Sequence, residues 1–282
     1  MRTLRTVAEV RAALTGPRRE GRSIGLVPTM GALHEGHLAL IRAAREECEE
    51  VVVSLFVNPA QFNEAADLAA YPRDEARDAA LAAECGADLL YAPAVEEMYP
   101  EGFATTVSVG ELTESLEGAH RPGHFDGVAT VVTKLFNIVA PDVAYFGQKD
   151  AQQVAVVRRL ARDLDLPVRI EALATVREAD GLALSSRNVR LSAGDRPRAL
   201  ALKRALDAAA AAASNGARDP AAVRERAIAA TRELGVEPEY LTLVNPDTFV
   251  PVDSLDGDVL VAVAARVGET RLIDNVVLPR RP

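Results

Sequence analysis

The sequence predicts an α/β protein, with a doubly wound parallel sheet in its first part and a smaller α+β domain at the C-terminal end. Three observations predict this. Short apolar segments alternate with amphipathic ones up to about residue 175, which is typical of parallel strands covered by helices on both faces. Glycine or proline closes several of the amphipathic segments. Beyond that point two helical segments precede three β-like ones, so we expect domains at 1–175 and 176–282.

Five strands and four helices are expected in the first domain. The opening segment, 1–16, is amphipathic and charged throughout, and we place no strand in it. Continuous apolar segments predict the strands, at 23–28, 51–57, 88–93, 142–147 and 167–173. Helical spacing of apolar residues predicts the helices, at 37–50, 73–86, 125–141 and 150–165. Gly86 and Pro141 stand where two of these helices end.

The second domain begins with an alanine-rich segment, 196–234, that a polar break at 214–220 divides into two predicted helices. Alanine is the best helix former, and leucine and arginine are interleaved with it, so helices are a better interpretation than low complexity. Three β-like segments follow, at 239–244, 259–267 and 270–278.

Composition argues against several classes of protein. The 282 residues carry a net charge of −9, whereas a nucleic-acid-binding surface is basic, so we expect no nucleic-acid partner. No run approaches the roughly 20 apolar residues of a membrane span, and the charged start lacks the apolar core of a signal peptide. Two cysteines far apart in sequence, Cys48 and Cys85, predict no disulfide framework. We therefore expect a cytoplasmic protein without a membrane partner.

The loops after the strands are the candidate sites, because open α/β sheets bind ligands outside the carboxyl ends of their strands. Four such loops are rich in ligand-binding residues: PTMGALHEGH, NPAQFN, GQKDAQQ and TVREADGLALSSRN. The first places Gly31, whose backbone is little restricted, ahead of His34 and His37 at a helix start. Free N–H groups there attract phosphate, and neutral imidazoles donate hydrogen bonds to it. Two alternatives remain open, namely surface or capping histidines and a pair of zinc ligands.

Lys149 is one of only three lysines, and it falls between a strand end and a helix start, where an ammonium suits a phosphate oxygen. Asp150 beside it either caps the following helix or holds water on a metal ion. Amides suit a ligand with hydroxyl and carboxylate groups, and all four glutamines lie near these loops: Gln61, Gln148, Gln152 and Gln153. Of the last two, we expect one on an exposed helix face.

Two hydroxyls and a guanidinium, at Ser185, Ser186 and Arg187, form a candidate polyphosphate clamp after the last strand of the sheet. With the His34–His37 loop they resemble the paired HIGH and KMSKS elements of the class I aminoacyl-tRNA synthetase and nucleotidyltransferase superfamily, which hold ATP for attack on its α-phosphate. Longer sequence motifs, in order from residue 28 to 188, resemble those of the pantothenate synthetase (pantoate–β-alanine ligase) family. They are PTMGALHEGHLALI, FVNPAQF, DLAAYPRD, LEGAHRPGHFDGVATVV, YFGQKDAQQ and TVREADGLALSSRN.

This resemblance implies a Rossmann-like fold and a two-step reaction. The carboxylate of pantoate attacks the α-phosphate of ATP, which gives pantoyl adenylate and pyrophosphate. The amine of β-alanine then displaces AMP and forms pantothenate. The resemblance also implies Mg²⁺ with ATP as cosubstrate, a homodimer, and a C-terminal domain that closes over the active site.

Roles for individual residues follow from the same resemblance. His37 would donate a proton, and His34 and Lys149 would bind the phosphates. Gln61 and Gln153 would hold pantoate, with Gln61 also near β-alanine. The residues implied to contact ATP are Met30, Gly31, Ala32, Leu33, His34, Glu35, Gly36, His37, Gly147, Gln148, Lys149, Asp150, Val176, Leu184, Ser185, Ser186 and Arg187.

Two departures from the family pattern matter. Leu184 stands where several relatives have methionine, which is a nearly isosteric exchange. Some relatives carry paired acidic residues on the helix after the YPR word, where this chain has Arg77 and Asp78. Asp78 alone is left as a candidate metal ligand, and we expect Mg²⁺ to be held mainly by ATP phosphates and water.

Two other functions stay open from the residues. One is a different adenylyl- or cytidylyltransferase, which keeps the nucleotide in its product, and the other is a nucleotide-binding regulatory or tRNA-binding protein. The acidic charge argues against tRNA. The glutamine-bearing loops favour a small polyhydroxy acid over a phosphorylated cosubstrate.

Overall fold

The computed structural model describes residues 1–63 and 68–278. Asp67, the first residue of the DLAAYPRD word, and the last four residues of the chain lie outside these ranges. The chain divides into two compact units. The first comprises Met1–Gly147 and Gln152–Leu173, and the second comprises Gln148–Ala151 and Ala174–Pro282.

A six-stranded parallel sheet forms the centre of the first unit, in the order β1-β4-β3-β2-β5-β6. Its strands are β1 (Arg2–Leu4), β2 (Ile24–Thr29), β3 (Glu50–Leu55), β4 (Leu89–Tyr91), β5 (Val143–Gly147) and β6 (Arg169–Leu173). The chain leaves β2 toward β3 on one side and later reaches β5 on the other. The carboxyl ends of β2 and β5 therefore flank the switch point at which such sheets bind ligands.

Seven helices accompany this sheet in the described residues. They are α1 (Val7–Arg19), α2 (Glu35–Glu47), α3 (Glu75–Glu84), α4 (Val95–Met98), α5 (Glu117–His120), α6 (His124–Val139) and α7 (Ala151–Asp163). Strands β2 and β3 are almost wholly buried, as expected for parallel strands covered on both faces. The predicted doubly wound α/β fold is thus confirmed.

Four elements in the described part of the first unit were not among those predicted from the sequence, namely the helices α1, α4 and α5 and one strand. Arg2–Leu4 forms an edge strand that pairs in parallel with β4, although we placed no strand in the opening segment. The strand has three residues, and only Leu4 is buried. A segment this short carries no alternating or continuous apolar pattern, so its charged residues conceal it.

The second unit contains three helices, where the sequence predicted two, and the three predicted β-segments form an antiparallel sheet. The helices are α8 (Asp195–Ala199), α9 (Ala201–Ser214) and α10 (Pro220–Arg232), and the strands are β7 (Tyr240–Val244), β8 (Val259–Val267) and β9 (Thr270–Leu278). Alanines of α9, including Ala205, Ala209 and Ala212, are buried in the core of this unit. Within the described ranges, no helix has the length and apolar character needed to cross a bilayer.

Candidate active site

The loop from Met30 to His34 connects β2 to α2 and has an unusual backbone. Gly31 has φ +88° and Ala32 has φ +51°. The left-handed region is ordinary for glycine, whereas it is strained for alanine. Something in the structure must therefore hold this loop in place.

Asp78 supplies that restraint from α3. Its Oδ2 accepts the N–H of Ala32 at 2.8 Å, and its Oδ1 accepts the N–H of Leu33 at 2.8 Å. The side chain is 1% exposed, so these are hydrogen bonds to a buried charge, which are stronger than neutral ones. The neighbouring Arg77 donates to the carbonyl of Leu33 at 3.1 Å. One turn of α3 thus fixes both the donors and the acceptor of the loop.

His34 and His37 cap α2 reciprocally. The N–H of Gly36 donates to Nδ1 of His34 at 3.2 Å, and the N–H of His34 donates to Nδ1 of His37 at 3.4 Å. An accepting Nδ1 carries no proton, so each neutral ring carries its proton on Nε2. The two ring centroids lie 4.1 Å apart. This pair combines two Nε2–H donors with the N-terminal end of a helix, which suits phosphate oxygens.

The same tautomer argues against the zinc alternative. A neutral imidazole that ligates zinc through Nε2 carries its proton on Nδ1 and donates it. In His34 and His37, Nδ1 is the acceptor of the capping bond. Zinc binding through Nε2 would therefore break both capping hydrogen bonds.

Two of the eight residues implied to touch ATP in this loop direct their side chains elsewhere. Leu33 is 1% exposed and belongs to the hydrophobic core of the first unit. Glu35 forms an exposed ion pair with Arg42, with 2.5 Å between Oε1 and Nη1. Their contact with a nucleotide would therefore have to come from the backbone.

Gln61 ends a 3₁₀ turn, Pro59–Gln61, and the structure brings it to the first loop. Its Nε2 donates to Sδ of Met30 at 3.1 Å, and its Oε1 accepts from Nδ2 of Asn58 at 3.0 Å. Gln61 is 7% exposed. Because both ends of the amide have partners, its orientation is determined.

Asn58 itself is fixed by two elements. Its Nδ2 donates to the carbonyl of Gly127 on α6 at 3.0 Å, and its Oδ1 accepts the hydroxyl of Tyr99 at 2.8 Å. Burial raises the pKa of Tyr99 to about 12, so the phenol is protonated and donates at neutral pH. Asn58 is 1% exposed, and both ends of its amide are hydrogen-bonded. These bonds connect the turn to α6 and to Tyr99.

The backbone of Gln61 is held from the start of α6. Nδ1 of His124 lies 2.8 Å from the carbonyl oxygen of Gln61, and Nη2 of Arg121 donates to the same oxygen at 3.2 Å. A carbonyl only accepts, so Nδ1 of His124 carries the proton. In the neutral ring Nε2 is then the acceptor for Nη1 of Arg121, which lies 3.2 Å away.

Gly127 allows this turn to approach α6. A Cβ at this position would lie 2.3 Å from the carbonyl oxygen of Ala60 and 2.7 Å from the amide nitrogen of Gln61. Both contacts are with backbone atoms, which cannot move aside without moving the turn. The absence of a side chain at Gly127 is therefore a requirement of the Gln61 geometry.

The two glutamines at the start of α7 differ from expectation. Neither lies on an exposed helix face, since Gln152 is 5% exposed and Gln153 is half-buried. Nε2 of Gln152 donates to the carbonyls of Leu112 and Ser115 at 2.7 and 2.9 Å, so Gln152 anchors the loop before α5. The loop at 112–117 covers Gln152, and the periodicity of the helix does not reveal this contact.

In the second unit, Lys149 and the serine–arginine loop come together. Lys149, Ser185 and Arg187 line one small pocket. Nζ of Lys149 lies 3.5 Å from Oδ1 of Asp150, so Asp150 is engaged with the lysine. Oγ of Ser185 accepts the N–H of Arg187 at 3.2 Å and caps the 3₁₀ turn Ser186–Arg190. The lining of this pocket contains three cationic side chains, from Lys149, Arg187 and Arg271, and the carboxylate of Asp274.

A network behind that loop fixes its course. Nδ2 of Asn188 donates to Oε1 of Glu178 at 2.7 Å and to the carbonyl of Ala183 at 3.0 Å. Arg196 pairs with Glu178 at 2.9 Å, and its guanidinium keeps the pKa of Glu178 below the ordinary value. The carbonyl of Val176 accepts the N–H of Leu184 at 3.0 Å, which closes the turn that carries both residues.

Residues 2–277 match the family profile described as Pantoate-beta-alanine ligase. The chain belongs to this family. A Cereibacter sphaeroides protein named pantothenate synthetase is 57% identical over 274 residues, which cover 97% of this chain and 98% of the relative. A Heliobacterium modesticaldum protein of the same name is 54% identical over 282 residues and 99% of each chain.

Solved structures agree with this membership. A pantothenate synthetase from Thermus thermophilus has a TM-score of 0.94 and 53% identity, covering 99% of this chain and 100% of that one. A pantoate-beta-alanine ligase from Francisella tularensis, complexed with beta-gamma ATP and beta-alanine, has a TM-score of 0.82 and 32% identity, covering 98% and 97%. The resemblance stated from the sequence words is thereby confirmed.

A resident metal finds no matching donor set in the part of the chain that the structure describes. No group of three or more His, Cys, Asp or Glu side chains there is arranged to hold a metal ion. Asp78, the one candidate from the sequence, already holds two backbone N–H groups. Its carboxylate anchors a loop, and the residues do not fit a metal site built by the protein.

Sequence reasoning missed the residues that hold this site together. Asn58 and His124 lay within the quoted words, yet we assigned them no role, and Tyr99 lay in no candidate loop. Asp78 was considered only as a metal ligand. The available signal was the residue type: amides, a carboxylate and an imidazole close to glycine-containing loops.

Proposed function

We propose that this chain condenses pantoate with β-alanine at the expense of ATP. A carboxylate oxygen of pantoate attacks the α-phosphorus of ATP, the bond to the β-phosphate breaks, and pyrophosphate leaves. The amine of β-alanine then attacks the acyl carbon, the bond from that carbon to the phosphate oxygen breaks, and AMP leaves. Pantothenate is the product, and the amine loses a proton.

The observation that carries this proposal is the geometry of the Met30–His34 loop and of the first turn of α2. Asp78 holds its backbone, and both histidines present Nε2–H donors at the start of α2. Negative charge grows on the phosphates as pyrophosphate departs, and preorganised donors stabilise that charge. Full-length membership of the Pantoate-beta-alanine ligase family supports the choice of substrates.

Residue roles follow as part of the proposal. His37 donates a proton to the departing pyrophosphate, while His34 and Lys149 neutralise charge on the phosphates. Gln61 and Gln153 hold pantoate, and the fixed amide of Gln61 matches a ligand that both donates and accepts. The other residues that the sequence words imply for ATP, from Met30–His37, Gly147–Asp150, Val176 and Leu184–Arg187, supply contacts to the nucleotide.

Two domains would share these roles, with 1–175 holding ATP and pantoate and 176–282 closing over them. Mg²⁺ would arrive with ATP as part of the substrate and be held mainly by phosphates and water, as this ion often is.

A homodimer in the cytoplasm is the assembly and compartment that the family resemblance implies. Sedimentation velocity tests the assembly, since a dimer has twice the 30.0 kDa of the chain. The net charge of −9 supports the absence of a nucleic-acid partner.

One assay tests the proposed activity. The protein is incubated with ATP and Mg²⁺, pantoate and β-alanine are supplied singly and together, and AMP and pantothenate are followed. We expect sustained AMP formation only with both substrates. AMP or CMP transfer into a product without an amine acceptor would favour the nucleotidyltransferase alternative, and no dependence on either substrate would refute the proposal.

A further inference from the structure

Asn275 on β9 makes two hydrogen bonds to the turn that carries Lys149. Its Nδ2 donates to the carbonyl of Gln148 and to the carbonyl of Lys149, both at 2.9 Å. Asn275 is 6% exposed and lies more than 120 residues along the chain from its acceptors. One buried amide therefore binds two consecutive peptide groups of the Gln148–Asp150 turn.

The position of Asn275 is itself fixed by the residue before it. Oδ1 of Asp274 accepts the N–H of Asn275 at 2.8 Å. Asp274 also forms a two-pronged ion pair with Arg177, at 2.6 and 3.0 Å, and its side chain is 3% exposed. A buried bidentate ion pair of this kind has a well-defined geometry, so the strand that carries Asn275 is held in place at the neighbouring residue.

The orientation of the amide follows from its surroundings. A flipped side chain would face two carbonyl oxygens with Oδ1, which is an acceptor facing acceptors. In the observed orientation Oδ1 is buried and has no hydrogen-bond partner in the described structure. A buried acceptor without a partner costs stability. The hydrogen bonds from Nδ2 to the two carbonyls therefore explain why asparagine occupies this position, and packing does not.

The same two hydrogen bonds also set the direction of the N–H group in each of these peptide units. In a trans peptide the N–H points away from the preceding C=O, and the described chain contains no cis peptide. The N–H groups of Lys149 and Asp150 therefore point away from Asn275. Successive N–H groups that face one way form an anion-binding backbone. The same turn carries the ammonium of Lys149, which lies 3.5 Å from the carboxylate of Asp150.

We propose that Asn275 is a positioning residue for the adenylation step, acting through the Gln148–Asp150 turn. The amide sets the backbone so that Lys149 and two N–H groups meet the phosphates of ATP. This inference rests on the proposed function, because it takes ATP as the ligand of the turn. It assigns a role in catalysis to a strand that carries none of the residues predicted from the sequence.

The test uses Asn275→Asp, which keeps the shape and places a carboxylate against two carbonyl oxygens. Adenylation is measured as pantoate-dependent exchange of labelled pyrophosphate into ATP, and aminolysis is measured with chemically prepared pantoyl adenylate and β-alanine. We expect exchange to fall by about tenfold or more, with a raised KM for ATP, and aminolysis to stay within about threefold. Asn215→Asp, at an exposed position of the same unit, should match the parent protein.

A double-mutant cycle with Lys149→Ala separates positioning from general loosening of the unit. If Asn275 acts through Lys149, the Asn275→Asp change should lower exchange much less in the Lys149→Ala background, because interacting residues are not additive. Should Asn275→Asp fail to fold, Asn275→Ala replaces it in both arms.

Three results would overturn the inference: unchanged exchange in Asn275→Asp, equal losses in exchange and aminolysis, or fully additive losses in the cycle. A parent protein that shows no pantoate-dependent exchange would instead refute the proposed function. The two failures are therefore distinguishable.

Discussion

Replacing Asp78 by asparagine tests how the Met30–His34 loop is held. The carboxylate accepts two N–H groups at 2.8 Å each and is 1% exposed. An amide keeps one acceptor oxygen, but it places an NH₂ group against the other N–H. One hydrogen bond to a charged group is lost, worth about 1.5–3 kcal/mol, and a buried N–H is left without a partner.

We therefore expect the free energy of unfolding of Asp78→Asn to fall by about 2–3 kcal/mol, which corresponds to a lower melting temperature by about 4–12 °C. The loop carries Ala32 at φ +51°, a strained geometry that relaxes once the restraint weakens. Adenylation should then slow by about tenfold or more, because displacement of binding groups by about 1 Å can cost 10²-fold.

Differential scanning calorimetry and pantoate-dependent pyrophosphate exchange measure the two effects. The control is Asp74→Asn on the same helix, because Asp74 is an exposed N-cap whose side chain accepts the N–H of Arg77 at 3.0 Å. Asparagine caps helices about as well as aspartate, so this variant should retain stability and rate. If Asp78→Asn matches Asp74→Asn in both measurements, the carboxylate does not hold the loop.

Three further predictions concern other parts of the molecule. Gly127→Ala should lower the free energy of unfolding by about 1–3 kcal/mol and raise the KM for pantoate, because the new Cβ would lie 2.3 Å from the Ala60 carbonyl oxygen. Urea titration measures the change in stability. The control is Gly16→Ala, where a Cβ would have nothing within 4 Å. Glu178 has a pKa below its ordinary 4.5 because of its paired guanidinium, so its stabilisation is complete above that value and is lost as the pH falls through the lowered pKa. Acid titration of Glu178→Gln should accordingly show a shallower loss of stability below about pH 4.5, and an unchanged slope would contradict the pairing. His37→Ala should slow adenylate formation by about tenfold or more, since about 1.4 kcal/mol is tenfold in rate, while leaving the fold intact by circular dichroism; a normal rate would remove its catalytic role.

Periodicity was enough to predict most of the fold. Parallel strands buried on both faces give continuous apolar segments, and amphipathic helices give a 3.6-residue repeat. The observed strands Ile24–Thr29 and Val259–Val267 coincide with predicted segments to within a residue. Arg2–Leu4 escaped because three edge residues with one buried side chain produce no pattern.

The site was predictable only in part, for a different physical reason. The histidines and Lys149 stand out because loops after strands in such folds bind ligands, so their position in the chain is informative. Asp78, His124 and Asn275 act through hydrogen bonds to backbone groups 45 to 127 residues away. No local spacing encodes such a contact, and only the folded arrangement reveals it.

In the proposed reaction, a carboxylate oxygen of pantoate attacks the α-phosphorus of ATP. Pantoate labelled with ¹⁸O in its carboxylate, incubated with the protein, Mg²⁺, ATP and β-alanine, tests it by mass spectrometry of the products. We expect AMP that carries one ¹⁸O atom and pyrophosphate that carries none, because the bond broken in the second step joins the acyl carbon to oxygen. Label in inorganic phosphate, with ADP as the nucleotide product, would contradict it.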